Sequence, residues 1–242
     1  DLLGNIAPAQ SDYFQSTRGG GHGDYRTLVL APATVQELYD LTRDAFDLAE
    51  KYRNPVLILA DAVLGQMMEP VSLTREPLPM PAPLPWGARG TRKGSRTVIN
   101  SLYIIPEDLE AVNLRLAEKY AQMAREDVRY TEEIPDNAEA VFVAYGSAAR
   151  VCMTAMEQLE ARGISTGLAR PITLFPYPYE QISALANRAQ HLLVVEMSLG
   201  QMVEDVRLAV EGRVPVHFYG RTGGVVPTPD EVANAMEKVI RG

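Results

Sequence analysis

The stretch Ala140-Val141-Phe142-Val143-Ala144-Tyr145, followed at once by Gly146-Ser147, decides the fold class of this chain. Its unbroken apolar run is typical of a strand that is buried on both faces, as the strands of a parallel sheet are. Gly146-Ser147 then opens a helical pattern that continues to about Gly163. Because a buried strand leads directly into a helix, the stretch predicts one repeat of an open α/β domain.

Further repeats of this kind follow toward the C-terminus. They share short apolar runs that alternate with helical spacing, with strands at 164–170, 192–195 and 214–219 and helices at 179–189 and 199–210. Thr228-Pro229-Asp230-Glu231 combines a capping box with proline at the first helical position, which predicts a terminal helix. We therefore expect residues 135–242 to form one α/β domain with a parallel sheet.

A smaller unit of the same kind lies near the N-terminus. Thr27-Leu28-Val29-Leu30-Ala31 and Val56-Leu57-Ile58-Leu59-Ala60 predict buried strands, and the capping-box pattern Thr34-Val35-Gln36-Glu37 predicts a helix between them. A strand, a helix and a strand joined by short loops form a βαβ unit of a parallel sheet. Since one such unit is too small for a domain, we expect residues 1–72 to be the C-terminal part of a domain whose other strands precede residue 1.

Residues 73–134 predict a connector and a helix rather than part of either sheet. Prolines alternate with other residues at Pro77, Pro79, Pro81, Pro83 and Pro85. Such a run favours polyproline II, and we interpret it as a semi-rigid strap rather than as a docking peptide. A helix is predicted from Pro106. We interpret its apolar stripe as packing: Leu109, Val112, Leu116, Tyr120 and Met123.

Charge and cysteine content exclude several classes of function. The net charge is -8, so the chain lacks the excess of basic residues that a nucleic-acid surface needs. The single cysteine, Cys152, excludes an internal disulfide and a cluster held by four thiolates, and it favours a reducing compartment. We interpret the basic run as a solvated loop rather than an anion site: Arg89, Arg92, Lys93 and Arg96.

The sequence predicts neither a membrane segment nor a metal site. No apolar stretch approaches the ~20 residues that a membrane-spanning helix needs, and the start lacks the pattern of a signal peptide. We therefore expect a cytoplasmic protein, and because Asp1 is not Met we expect a native start further upstream. No His, Cys or carboxylate group has metal-ligand spacing, and we interpret His191 and His217 as structural.

The densest unusual stretch is Gly19-Gly20-Gly21-His22-Gly23-Asp24. Glycines permit positive φ angles and a close approach of the backbone to a ligand. His22 and Asp24 in such a loop could transfer protons or orient a substrate. The alternative is a flexible turn before the strand at Thr27. The spacing differs from the dinucleotide-binding fingerprint, because no strand precedes it.

Weaker candidates lie where predicted strands end. Gly146-Ser147 opens a helix whose free N–H groups suit an anion, although we favour a role in turn geometry alone. Asp61 and Glu196 each follow a strand, and each could simply cap the following segment. Arg221 precedes Thr222-Gly223-Gly224, a loop that is equally consistent with a tight turn. Spacing alone therefore yields no self-sufficient active site.

Several motifs in combination resemble the alpha-type subunits of 2-oxoacid:ferredoxin oxidoreductases. They are Gly4-Asn5-Ile6-Ala7-Pro8-Ala9-Gln10-Ser11-Asp12-Tyr13, Gly19-Gly20-Gly21-His22-Gly23-Asp24-Tyr25, Leu30-Ala31-Pro32 with Val35-Gln36-Glu37, Gly146-Ser147 with Arg150, Arg170-Pro171-Ile172-Thr173-Leu174-Phe175-Pro176, Glu196-Met197 with Gly200-Gln201-Met202, and Gly223-Gly224 with Pro227. The resemblance covers nearly the whole chain. Its glycine-rich loop is most similar to the branched-chain members, which oxidise 2-oxoisovalerate.

The resemblance implies a fold, a reaction and partners. The fold would be a partial thiamine-pyrimidine-type parallel-sheet domain followed by a transketolase-C-terminal-like open α/β domain. The reaction would be oxidative decarboxylation of a 2-oxoacid to acyl-CoA, with ferredoxin reduced. Thiamine diphosphate with Mg would be shared with a beta-type subunit that grips the diphosphate. Gamma- and delta-type subunits would complete the complex, and iron–sulfur clusters would lie on other chains only.

The resemblance also implies that the chain is N-terminally truncated and inactive alone. Members carry an activating Glu and a substrate-contacting Arg upstream of the matched region, so we expect the catalytic residues before residue 1. Arg18, His22 and Asp24 are the candidates for lining the cofactor or substrate pocket. Two alternatives stay open: a thiamine-dependent E1-type or transketolase-like component, and a non-catalytic scaffold subunit.

Overall fold

The computed structural model describes residues 6–73, 84–87 and 99–242. Some of the sequence motifs lie outside these described residues. They are Gly4-Asn5, most of the proline strap (Pro77, Pro79, Pro81 and Pro83) and the basic run (Arg89, Arg92, Lys93 and Arg96).

Strands and helices alternate along most of the described chain. The strands are β1 Leu28–Leu30, β2 Val56–Ile58, β3 Tyr130–Glu133, β4 Ala140–Val143, β5 Thr166–Pro171, β6 Thr173–Phe175, β7 His191–Glu196 and β8 Val216–Gly220. The helices are α1 Tyr13–Arg18, α2 Val35–Tyr52, α3 Ala62–Gln66, α4 Pro106–Glu126, α5 Gly146–Ala161, α6 Tyr179–Ala184, α7 Met202–Val210 and α8 Pro229–Arg241. A 3-10 turn, Leu185–Asn187, extends α6.

The first sheet has the strand order β2-β1-β6. β1 and β2 run parallel, with Leu28 opposite Val56 and Leu30 opposite Ile58, and α2 connects them. The predicted βαβ unit is therefore confirmed. β6 pairs with the other side of β1 in the antiparallel direction, so a strand from the C-terminal half completes this sheet.

The second sheet has the strand order β3-β5-β4-β7-β8. β5, β4, β7 and β8 are parallel neighbours, which confirms the predicted domain of alternating strands and helices. Side chains of β4 alternate between the two faces, as strand geometry requires. Phe142 packs with α5 and α8 on one face, and Val141 and Val143 pack with α6 and α7 on the other.

Two strands depart from the organisation that the sequence indicated. β3 pairs antiparallel with β5, although we assigned its residues to the connector 73–134. The reason is that Thr131, Glu132 and Glu133 are exposed at the edge of the sheet, so β3 carries no apolar run. β6 follows β5 after Ile172 alone, and three residues are too short to be distinguished from a loop by pattern.

The apolar stripe of α4 is buried most deeply at its C-terminal end. Met123 is fully buried, and Tyr120 packs beside it against the first sheet. Val112 and Leu116 are half-buried, and Leu109 is 42% exposed. The interpretation of the stripe as packing is therefore confirmed at its C-terminal end and wrong for Leu109.

A common core joins the two sheets. Val29 of the first sheet belongs to the same buried cluster as Val141, Val143 and Val194 of the second. Within the part of the chain that the structure describes, no helix has both the length and the apolar character needed to cross a membrane.

Candidate functional site

Gln10 ties the N-terminal segment to the ends of β4 and β7. Its side-chain amide donates to the Tyr145 carbonyl at 3.0 Å, and its Oε1 accepts from the Met197 N–H at 3.0 Å. Its own N–H donates to the Met197 carbonyl at 2.8 Å. Gln10 is 6% exposed, and its contacts satisfy backbone groups at the carboxyl ends of two parallel strands, where such sheets place ligands.

Asp61 and Ser147 lie in direct contact although they are far apart in sequence. Asp61 Oδ1 accepts from Ser147 Oγ at 2.7 Å, and Oδ2 accepts from the Ser147 N–H at 3.3 Å. The same carboxylate caps α3 by accepting from the Leu64 N–H. A carboxylate of the chain thus occupies the N-terminus of α5, which agrees with the structural interpretation of Gly146-Ser147.

Gly146 has to be glycine for two reasons. Its φ of +56° lies in the left-handed region, and a Cβ there would stand 3.1 Å from Gln10 Nε2. The close approach of Gln10, Asp61 and the α5 N-terminus therefore depends on the missing side chain.

Glu196 is a fully buried carboxylate whose hydrogen bonds all come from the chain itself. It accepts from Ser198 Oγ at 2.9 Å and from the N–H groups at the start of α7: Gln201 at 3.1 Å, Met202 at 3.1 Å and Val203 at 3.0 Å. A buried carboxylate is stable only when its acceptors are satisfied in this way. Burial, and after it the charge of Glu196, raises the pKa of Tyr145 well above its ordinary value.

The glycine-rich loop departs from the end of α1 and folds over Tyr25. Gly19 and Gly23 have φ angles of +88° and +100°, which side chains rarely tolerate. Cβ atoms at Gly19 and Gly21 would each lie 3.3 Å from the Tyr25 phenol. The loop is therefore a defined turn whose glycines permit close packing on one aromatic ring.

The side chains of His22 and Asp24 lie on the solvent side of this loop and not in the core. Both residues are exposed, and Asp24 Oδ2 accepts from Asn113 Nδ2 of α4 at 3.3 Å. Their exposure leaves both side chains accessible to a substrate or a partner chain. Whether they line a pocket stays a prediction.

Arg18, the third candidate, joins a buried network around Asp205. Asp205 is 3% exposed and accepts from Tyr13 OH at 2.7 Å, Tyr179 OH at 2.5 Å and Arg18 Nη2 at 3.2 Å. Arg18 also lies over the Phe14 ring at 5.0 Å. Burial, followed by the charges of neighbouring groups, raises the pKa of Tyr13 well above its ordinary value, so the phenol stays a donor.

The sequence reasoning missed both Asp205 and Gln10. Asp205 lies in phase with the buried Met202 and Ala209 of α7, and a carboxylate on the apolar face of a helix was the signal that could have found it. Gln10 carries no such signal, because it lies in an extended segment without periodicity. Its role depends on contacts with Tyr145 and Met197, far along the chain.

Two family models match the chain. The model described as "Pyruvate flavodoxin/ferredoxin oxidoreductase, thiamine diP-bdg" matches residues 4–143. The model described as "Pyruvate:ferredoxin oxidoreductase core domain II" matches residues 138–232. Together they cover both halves of the fold described above.

Curated relatives agree with these matches. The chain is 46% identical over 237 residues to the ketoisovalerate oxidoreductase subunit VorB of Methanothermobacter thermautotrophicus, covering 98% of this chain and 66% of the relative. It is 48% identical over 222 residues to VorB of Methanothermobacter marburgensis, covering 92% and 63%. The 2-oxoglutarate synthase subunit KorA of Methanocaldococcus jannaschii is 32% identical over 251 residues, covering 94% and 68%. The chain thus spans about two thirds of the length of these relatives.

Solved structures share the fold. A 2-oxoglutarate:ferredoxin oxidoreductase from Magnetococcus marinus, solved with 2-oxoglutarate, coenzyme A and succinyl-CoA bound, superposes with a TM-score of 0.77 at 22% identity, over 97% of this chain and 46% of that one. A split-gene transketolase, an inactive beta4 tetramer, superposes with a TM-score of 0.51 at 16% identity, over 89% and 57%. The predicted fold class, a thiamine-pyrimidine-type domain followed by a transketolase-C-terminal-like domain, is confirmed.

Because one family model matches more than half of its residues, this chain belongs to the pyruvate flavodoxin/ferredoxin oxidoreductase family of the thiamine-diphosphate-binding type.

Proposed function

We propose that the chain is part of the alpha-type subunit of a 2-oxoacid:ferredoxin oxidoreductase that acts on a branched-chain 2-oxoacid such as 2-oxoisovalerate. The observation that carries this proposal is the difference in identity among the relatives. Two ketoisovalerate oxidoreductase subunits are 46% and 48% identical, whereas four 2-oxoglutarate synthase subunits are 30–33% identical over similar lengths. The reaction would convert the 2-oxoacid and coenzyme A to acyl-CoA and carbon dioxide, with electrons passed to ferredoxin.

The cofactor would be thiamine diphosphate with Mg, shared with a partner subunit. Within residues 6–73, 84–87 and 99–242, no group of three or more His, Cys, Asp or Glu side chains could hold a metal. The described residues therefore do not by themselves fit a magnesium–diphosphate group, and we propose that the beta-type partner binds this group. When bound, the cofactor supplies the carbanion chemistry that decarboxylation needs.

The contribution of this chain would be to shape and position the site. The glycine-rich loop would present His22 and Asp24 to the substrate pocket. Arg18, held by Asp205, would fix the α1 end of that loop. Gln10 would keep the N-terminal segment against the carboxyl ends of β4 and β7, and Asp61 would hold the end of β2 at the start of α5. A site needs such rigid support, because small displacements of reacting groups cost large factors in rate.

The partners and location follow from the same proposal. The complex would contain beta-type and gamma- or delta-type subunits, and ferredoxin and coenzyme A would bind to the assembled complex. Iron–sulfur clusters would lie on the other subunits, since Cys152 is the only cysteine here and is buried. A cytoplasmic location would suit a chain whose single thiol forms no internal disulfide.

The test is steady-state kinetics on the purified complex with the full-length subunit. We expect coenzyme-A-dependent ferredoxin reduction, with a higher kcat/KM for 2-oxoisovalerate than for pyruvate or 2-oxoglutarate. Removal of thiamine diphosphate should abolish it. Acyl transfer to lipoamide without ferredoxin reduction would favour an E1-type component. A complex that keeps full activity without this subunit would leave only a scaffold role.

A further inference from the structure

A crevice of about 270 Å³ opens beside Arg18, between α1, α4 and the segment that joins β6 to α6. Its walls include Arg26, Tyr120, Leu174 and Tyr177. We propose that this crevice binds a short aliphatic carboxylate, with the carboxylate at the two guanidinium groups and the carbon chain against the apolar wall. The inference rests on the charge and shape of the crevice and does not depend on the proposed function.

The charged groups of the crevice are not balanced. Arg26 donates from Nη1 to the Tyr25 carbonyl at 3.2 Å and lies over the Phe175 ring at 5.9 Å. No carboxylate among the described residues pairs with it. Arg18 pairs with Asp205 at 3.2 Å, but that carboxylate also accepts from two phenols. Two guanidinium groups against one carboxylate leave one net positive charge in the crevice.

Part of the crevice wall is apolar. Leu174 is 1% exposed, and Phe175, Pro176 and Ala124 lie beside it. A site lined in this way favours an anion with a hydrocarbon part over inorganic phosphate, because the apolar wall would leave phosphate oxygens without donors. The volume lies below the roughly 300–1,000 Å³ of pockets for drug-sized ligands, so a chain of a few carbons fits.

The test uses calorimetric titration of the full-length subunit in its complex with isobutyrate as the probe. Isobutyramide has the same shape without the charge, and inorganic phosphate has the charge without the carbon chain. We expect isobutyrate to bind at least ten times more tightly than either.

Two variants separate the crevice from any other site in the complex. Arg26→Gln removes the unpaired guanidinium, and Ala124→Phe fills the crevice from an exposed position of α4 without changing charge. Each should weaken isobutyrate binding at least tenfold. Arg241→Gln, at an exposed arginine of α8, should leave binding unchanged.

Several results would overturn the proposal. Equal binding of isobutyramide would remove the role of the charge, and phosphate binding that depends on Arg26 would point to an inorganic anion instead. Unchanged isobutyrate binding in both crevice variants would place the ligand elsewhere. Absence of binding to the wild-type complex would show that another segment or subunit fills the crevice. Thermal melts of each variant check folding, and Ala124→Phe keeps the test valid if Arg26→Gln proves unstable.

Discussion

Arg170 holds Glu37 through both of its terminal nitrogens, with Nη1 to Oε2 at 2.9 Å and Nη2 to Oε1 at 2.6 Å. This pair links β5 of the second sheet to the first turn of α2. Glu37 Oε2 also accepts from the Ala33 N–H at 2.8 Å. Thr34 still caps α2 by accepting from the Glu37 N–H, so the predicted capping box is half formed. The carboxylate of the box instead joins α2 to β5 of the second sheet.

Arg170→Gln should destabilise the protein by about 1–3 kcal/mol, because a charged, bidentate hydrogen bond is lost. The Arg170 side chain is only 11% exposed, so water replaces it poorly. The measurement is urea unfolding followed by circular dichroism. The control, Arg241→Gln, removes a pair whose arginine is 72% exposed, and such pairs contribute about 0–1 kcal/mol. Equal losses in the two variants would contradict the structural role of Arg170.

Tyr52 gives a prediction for alkaline pH. Burial, and after it the hydrogen bond to Asp127, raises the pKa of Tyr52 to about 12. A folded-state pKa above the unfolded value of about 10 means that the folded protein holds the proton longer. The contribution of Tyr52 to stability is therefore fully present below pH ~10 and is lost as pH rises through ~12.

The comparison that isolates this effect is Tyr52→Phe against wild type. The variant loses the hydrogen bond to Asp127 and should be less stable at neutral pH. Between pH ~10 and ~12 the free energy of unfolding should fall more steeply for the wild type than for the variant. The difference in stability between the two proteins should therefore become smaller. Unfolding curves measured at several pH values check this expectation. An equal difference in stability between the two proteins at every pH would mean that Tyr52 has the same pKa in the folded and unfolded states.

His22→Ala tests the role of the glycine-rich loop. The side chain is exposed, so the free energy of unfolding should change by no more than about 0.5 kcal/mol. If His22 transfers or holds a proton, kcat/KM for a branched 2-oxoacid should fall by about tenfold or more. Ferredoxin reduction and thermal melts on the same complex provide both numbers. Glu160→Ala, at an exposed position of α5, is the matched control, and unchanged kinetics in His22→Ala would remove His22 from the site.

Asp61→Ala tests whether the Asp61 carboxylate occupies an anion-binding site at the N-terminus of α5. Loss of the α3 cap and of the hydrogen bonds from Ser147 should destabilise the protein by about 1–3 kcal/mol. Because the helix N-terminus is then free, added sulfate should raise the Tm of the variant more than that of the wild type. Chloride at equal ionic strength is the control. An identical sulfate effect in both proteins would mean that the α5 N-terminus binds no anion when vacated.

The sequence predicted the parts of the fold that local patterns encode. The βαβ unit, the parallel strands after residue 135 and the capping box at Thr228 are all present, because apolar runs and capping residues act within a few positions. Helix starts were less accurate. α7 begins at Met202 rather than near residue 199, because the Glu196 carboxylate caps it from the preceding strand.

Contacts between distant residues were not predictable from one sequence. Asp205 lies 192 positions from Tyr13, and Gln10 lies 135 positions from Tyr145. No local pattern reports such a pair. Composition and the family resemblance indicate Arg18, His22 and Asp24 as candidate residues. Of these, only Arg18 enters a buried network in the described structure.

Ile172 alone separates β5 from β6, so one short segment supplies a strand to each sheet. The two sheets should therefore melt in a single cooperative transition rather than as separate modules. A fragment that begins at residue 135 would contain β6 without its partner β1, and β5 without its partner β3. Each missing partner leaves backbone N–H and C=O groups unpaired, which promotes association between chains. Dissection of this protein for crystallisation or binding studies should keep residues 28–58 and 130–175 together.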